Sequence, residues 1–205
     1  MGLPMTVIQS MAIVTDRRVA GPAVELTLHA PDLARLLRPG QPVLVKAGPG
    51  MWPYLRRTRY PIALGAESFA LRVPPSPDWG DAWLRTANVG AAIDCIGPVG
   101  LGFEWDGQLR NLLCVAEDDA VWDLLPLIDW ADAAGLSVAL VAGAAAVRTA
   151  LPVQRLPAGV EYHLVSGDGQ PDVRRSLMST LSDLLPWADA LAASAPLDAY
   201  GALAQ

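Results

Sequence analysis

Along the first half of the chain, apolar and polar residues alternate in short runs. These are TVIQSMAIVTDRRVA (residues 6–20), AVELTLHA (23–30), QPVLVKAG (41–48), YPIALGA (60–66), FALRVPP (69–75) and AIDCIGPVG (92–100). Alternation with a period of two, interrupted by Gly, Pro and Asp, predicts β-strands with one face buried. Several such strands at close intervals predict a small antiparallel barrel. PDLARLLRPGQP (31–42) fits one short helical turn, stopped by Pro39-Gly40 before the next strand. A single longer helix is expected in this half, over DWGDAWLRT, Asp78 to Thr86.

From about Asn111 the rhythm changes. Continuous apolar runs, NLLCVA (111–116), SVALVAG (137–143), EYHLVSG (161–167) and DALAASA (189–195), now alternate with longer segments of helical character. Those segments are VWDLLPLIDWADAAG (121–135), AAVRTAL (145–151), VRRSLMSTLSDLLPW (173–187) and LDAYGALA (197–204). Strands buried along their whole length and separated by helices predict a parallel sheet covered on both faces. The polar, glycine-containing stretch from Glu104 to Asn111 marks the change, so we expect a β-barrel domain over 1–106 and an α/β doubly wound domain over 107–205.

The most informative segment opens that second domain. LLCVAEDDAVWDLLPLIDWADAAG, Leu112 to Gly135, reads as a buried strand, a turn and an amphipathic helix. A βαβ unit that holds a nucleotide diphosphate needs glycines at this turn and free N–H groups at the positive helix end. Here the turn is Ala116-Glu117-Asp118-Asp119-Ala120, with three carboxylates and no glycine. Those charges oppose an anion, so the scaffold for dinucleotide binding is expected without its chemistry. A divalent cation on Glu117, Asp118, Asp119 and Asp123 is disfavoured, because consecutive residues of a tight turn rarely converge on one ion.

Charge and cysteine content narrow the remaining classes. The net charge is −6 and the basic residues are scattered, which disfavours nucleic acid as a partner. The densest basic cluster, Arg56, Arg57 and Arg59, suits one small anion. No apolar run approaches the roughly 20 residues of a membrane span. Cys95 and Cys114 each sit in a strand-like run with no paired cysteine nearby, as expected of two reduced, buried thiols in a cytoplasmic protein and not of a metal site. His29 and His163 lie within strands and read as structural.

RTRYPIAL (57–64), WGDAWL (79–84) and GPVGLGF (97–103), preceded by LLRPGQPVLV (36–45) and followed by the βαβ half, form a recognisable series. The series resembles the ferredoxin–NADP reductase superfamily, and most closely the electron-transfer subunit of bacterial dihydroorotate dehydrogenase, over nearly the whole chain. The resemblance implies FAD in the barrel. Arg59 would face its pyrophosphate, and Tyr60, Pro61 and Ile62 would line the isoalloxazine ring. The strand Leu71-Arg72-Val73 and the helix start at Gly80 and Asp81 would complete the site. Asp81 stands where the family has threonine, and there we expect it to cap the helix and complement its dipole.

Val115 to Leu124 aligns with the family's glycine-rich loop, but every glycine is replaced and the family's proline is Asp123. NAD binding is therefore not expected. HLVSGDGQ (163–170) and ADALAASAPLDAYGALA (188–204) resemble later family segments, with Ser194-Ala195-Pro196 in place of a Cys-Gly-Pro element. The sequence stops at Gln205, before the family's cysteine-rich segment, so no iron–sulfur cluster is expected. Two functions remain. One is a flavin-dependent electron-transfer subunit that passes electrons to a partner protein. The other is a non-catalytic relative serving as a binding or regulatory subunit, with Trp52, Trp79 and Trp122 as candidate interface residues.

Overall fold

The computed structural model describes residues 6–48, 50, 55–104, 107–167 and 172–195. The chain divides into two units, Met1–Glu104 and Trp105–Gln205. Trp52 and the helix expected over 197–204 lie outside the described residues.

The first unit contains β1 (Ile8–Ala20), β2 (Ala23–His29), the short helix α1 (Pro31–Ala34), β3 (Val43–Val45), β4 (Arg57–Arg59), β5 (Pro61–Leu64), β6 (Ser68–Val73), α2 (Trp79–Thr86) and β7 (Ala92–Gly97). Its seven strands form one antiparallel sheet in the order β4-β3-β7-β1-β2-β6-β5. The edge strands β4 and β5 are separated in the chain only by Tyr60, so the sheet curls until its two edges meet at a corner. The barrel is nearly closed, and closure removes the exposed edges that would otherwise recruit other strands.

The long strand β1 serves two neighbours, pairing with β7 through Ile8–Ile13 and with β2 through Ile13–Ala20. A register shift between Val14 and Asp16 bends it from one to the other. Alternate residues point inward: Ala12, Val14, Leu26, Leu28, Phe69, Leu71, Val73, Ile93 and Cys95 are all buried, and Leu84 of α2 joins them.

Where the barrel chain closes on itself, Gly40 and Phe103 meet. Gly40 has φ +81°, and a Cβ built there would stand 2.6 and 2.7 Å from carbons of the Phe103 ring. The backbone agrees with this contact, since the Phe103 N–H donates to the Pro39 carbonyl at 3.0 Å.

The second unit contains β8 (Asn111–Glu117), a 3-10 segment (Asp118–Leu124), α3 (Leu125–Ala133), β9 (Ser137–Ala144), β10 (Glu161–Ser166), α4 (Val173–Leu184) and β11 (Ala190–Ser194). The four strands are parallel, in the order β10-β9-β8-β11. Successive strands are thus added on one side of β8 (β9, then β10) and afterwards on the other (β11), and open parallel sheets place their ligands at such a switch of strand order. Leu177 and Leu181 of α4 pack on Leu113, Val115, Ala139 and Val141. Leu112, Cys114, Val138 and Leu140 on the other face are buried as well, so the sheet is covered on both sides. Among the described residues no helix is long and apolar enough to cross a membrane.

Two helices differ from expectation. The one expected from Val121 begins as α-helix only at Leu125, because Pro126 has no N–H to give and is tolerated only in a first turn. The helix expected over 145–151 is a single 3-10 turn, Val147–Thr149. Pro152 biases Leu151 toward extended backbone, and the few residues left are too short a run to nucleate a helix.

Gly40→Ala is expected to destabilise the barrel by about 1–3 kcal/mol, through both the positive φ and the Phe103 ring. Gly21→Ala is the comparison: φ is +59°, but nothing lies within 4 Å. Urea denaturation should show the larger loss at Gly40; equal losses would remove the role given to the Phe103 contact.

Candidate functional site

The residues singled out by the sequence converge on the barrel corner. Arg59 pairs in register with Val43 on one side, and Pro61 pairs with Leu71 on the other. Between them Tyr60 belongs to neither strand and is 41% exposed. The β5–β6 register then shifts between Pro61 and Ala63, so Ile62 is an extra residue at a bulge. Pro61 has no N–H for the ladder, and a bulge withdraws further backbone groups from pairing. The chain thus leaves its ladder within a few residues of an arginine.

Helix α2 brings its start to the same place. Asp78 is its N-cap and accepts from the N–H groups of Gly80 (2.9 Å) and Asp81 (3.3 Å). The capping expected of Asp81 therefore belongs to Asp78, three residues earlier, where the side chain can reach forward to the first free amides. Asp81 lies in the first turn and turns its carboxylate onto Nη2 of Arg59. Gly80 lets the start of α2 sit close to Ala47 and Arg57: a Cβ there would lie 3.0 Å from the Ala47 Cβ and 3.2 Å from the Arg57 Nε.

Each arginine of the basic cluster has its own carboxylate. Arg57 donates to both Asp78 oxygens, at 3.0 and 2.5 Å. Arg56 donates to the Asp94 carbonyl at 2.9 Å and to its carboxylate at 2.6 Å. These hydrogen bonds hold the Asp78 and Asp94 carboxyls below the usual carboxylate range, Arg57 being the main cause for the first and Arg56 for the second. The Arg59–Asp81 side chains are only 20% and 10% exposed, so this pair is screened less than surface pairs such as Arg35–Asp32. Arg59 keeps one group unsatisfied: its Nε is buried with no hydrogen-bond partner among the described residues.

The remaining expected residues are not all brought here. Leu71 and Val73 point into the barrel core. Arg72, on the opposite face of β6, stands across from Glu25, with Nη1 3.7 Å from Oε1. Trp79 is half exposed. Trp122 is not: it is buried, with the Arg155 guanidinium 5.0 Å from its ring centroid. Its place as an interface candidate is therefore corrected, because a residue in the first helical segment after β8 faces the sheet. Both cysteines are buried and unpaired, and burial pushes each thiol up to about 12.

In the second unit, the turn after β8 is filled by its own side chains. Asp118 has φ +51°, a left-handed conformation that glycine adopts without strain. Its carboxylate accepts from the Ala145 N–H at 2.9 Å, linking this turn to the end of β9. Glu117 receives a bidentate pair from Arg174 in the first turn of α4, Nε at 3.0 Å and Nη2 at 2.9 Å. Among the described residues no group of three or more His, Cys, Asp and Glu could hold a metal ion.

Asp78 and Arg174 are not among the candidate site residues that the sequence offers, while Arg57 is offered only as one of three arginines suited to a small anion. An Asp directly before an amphipathic helix is a legible cap signal. The reach of Arg174 to Glu117, 57 residues away, has no local signal.

This architecture is the two-domain ferredoxin–NADP reductase-like fold. A ferredoxin reductase in carbazole 1,9a-dioxygenase superposes with TM-score 0.79 at 16% identity, covering 98% of this chain and 65% of that one. An NADH-dependent reduced ferredoxin-NADP oxidoreductase gives 0.73 at 18% identity, over 91% of this chain and 68% of that one. A siderophore-interacting protein from Acinetobacter baumannii gives 0.71 at 16%, covering 97% and 82% respectively. The chain thus spans less than two thirds of the carbazole-system reductase. No protein-family model and no curated protein sequence matches it.

The lowered Asp94 carboxyl has a consequence in acid. Its folded-state value lies below the unfolded value of about 3.9, so the stability from its pairing is complete above that pH. That stability is lost as the pH falls through the folded value. Asp94→Asn should therefore lose less stability than the wild type between about pH 5 and pH 2 in denaturant titrations; parallel curves would contradict the pairing. At the other turn, Asp118→Val should cost about 1–3 kcal/mol, since a β-branched residue resists positive φ. A neutral result in the same assay would argue against that backbone conformation.

Proposed function

We propose that this protein is a flavin-binding electron-transfer subunit, akin to that of dihydroorotate dehydrogenase, in which nicotinamide binding has been lost. One observation carries the reading. At the barrel corner an arginine with an orphaned buried N–H, an exposed tyrosine and a bulged backbone fall within four consecutive residues, Arg59 to Ile62. An unsatisfied buried donor is rare in a finished structure and fits a ligand that would accept from it. A planar, permanently charged guanidinium suits a phosphate oxygen.

In this reading Arg59 faces a flavin phosphate, Tyr60 lies against the ring, and the backbone of Pro61 and Ile62 meets its polar edge. Leu71 and Val73 contribute by shaping the barrel wall, Gly80 by letting α2 approach. Flavin bound there supplies one- and two-electron transfer, which the protein's own side chains cannot. The fold's other nucleotide place does not fit a dinucleotide: carboxylates occupy the turn, and the segment after it begins as 3-10 and not α-helix. Electrons would then pass between this chain and a partner protein, in the cytoplasm, where its two free thiols stay reduced.

A second reading is favoured by the internal pairing of all three corner arginines. It makes the chain a non-catalytic binding or regulatory subunit, with exposed Tyr60 and Trp79 on the surface offered to a partner.

The visible spectrum of the purified protein before and after addition of FAD separates the two. Retained or acquired flavin bands that survive desalting, with no change in NADH fluorescence on mixing, are the expected result. A protein that stays colourless supports the second reading. Tight NADH binding would contradict the loss of the nicotinamide site.

A further inference from the structure

Resting on the flavin reading, we infer that Asp81 is the residue that sets how strongly this site distinguishes flavins by their phosphates, and that it sets the distinction low. The corner holds three cations, Arg56, Arg57 and Arg59, and three carboxylates, Asp94, Asp78 and Asp81, paired one to one. Two amides at the start of α2, those of Gly80 and Asp81, already donate to Asp78. Arg57 spends two donors on Asp78, and Arg56 spends two on Asp94. Each of these guanidinium groups keeps further N–H donors, but its charge is already balanced; the one that adjoins Tyr60 to Ile62 is Arg59, and its charge is opposed at contact distance by Asp81.

An incoming phosphate must either displace Asp81 from the guanidinium or share it through Nε while facing a carboxylate. In the first case an ion pair only 10–20% exposed is broken; in the second, like charges are brought together. Either way most of the attraction that a phosphate group would add is cancelled. The isoalloxazine ring, common to all flavins, then supplies nearly all the affinity. Asp81 is thus a specificity-determining residue that makes the site nearly blind to the phosphate end of its ligand.

The test is fluorescence titration with riboflavin, FMN and FAD. Wild type should bind all three with dissociation constants within about threefold of one another, as expected when a charge is internally neutralised. Asp81→Asn keeps the shape and removes the charge, and should gain about tenfold or more for FMN and FAD over riboflavin. Arg59→Gln/Asp81→Asn should lose that gain, which ties it to Arg59. A wild type that already prefers FAD over riboflavin by a wide margin overturns the inference and leaves the flavin reading standing. Absence of binding by any flavin to any variant overturns the flavin reading itself. Should Asp81→Asn fail to fold, Asp81→Ser takes its place in the same series, and no gain for FMN and FAD over riboflavin once the charge is removed overturns the inference.

Discussion

The barrel depends on one constraint: strands at opposite edges of a seven-stranded sheet are joined by a single residue. β4 ends at Arg59 and β5 begins at Pro61, so Tyr60 has to turn the corner that closes the sheet. A corner this tight cannot be laddered throughout. Pro61 removes a donor, the bulge at Ile62 removes register, and Tyr60 is left outside both strands with its ring in solvent. Closure satisfies the edges of the sheet and in the same act leaves Tyr60 outside both strands and exposed, beside a bulged, buried Pro61-Ile62.

The electrostatics follow from that geometry. Turning the corner places Arg57 and Arg59 against the start of α2, and the helix answers with Asp78 and Asp81. Asp78 serves twice, as cap for two backbone amides and as partner of Arg57. The arrangement is self-sufficient without a ligand, yet it leaves the Arg59 Nε unsatisfied. The turn after β8 shows the contrasting outcome. Glu117 and Asp118 are both engaged by groups of the unit itself, Arg174 and the Ala145 amide. Two places that the fold could give to anions have been neutralised by the protein's own carboxylates, one with a donor left over.

Much of this was legible in the chain. The change from period-two alternation to continuous apolar runs marks the two architectures, and β1, β2, β3, β5, β6 and β7 fall on the alternating segments; β4, the polar run Arg57–Arg59, lies outside them and is a strand only through its pairing with β3. Gly40 and Gly102 both have positive φ, as the PGQ and GLG turns imply. Pro126 carried enough information to delay α3, but helical periodicity from Val121 outweighed it. The alanine-rich stretch 145–151 misled for the opposite reason: propensity favoured helix, while length and Pro152 forbade it. The pairing of Arg59 with Asp81, 22 positions on, depends on how β4 and α2 are brought together, and no local pattern encodes that. Asp81 read alone looks like a cap; only Asp78 beside it, already holding the amides, reveals its other use.

The central claim is that ligand binding belongs to the barrel corner and not to the turn after β8. Amide hydrogen exchange with and without FAD and NADH, read by mass spectrometry, tests it most directly. FAD should slow exchange in the peptide spanning Arg57 to Leu64 and at the start of α2, while neither nucleotide changes the peptide from Val115 to Val121. Protection of Val115 to Val121 by NADH, or no protection of the corner by FAD, would contradict the account.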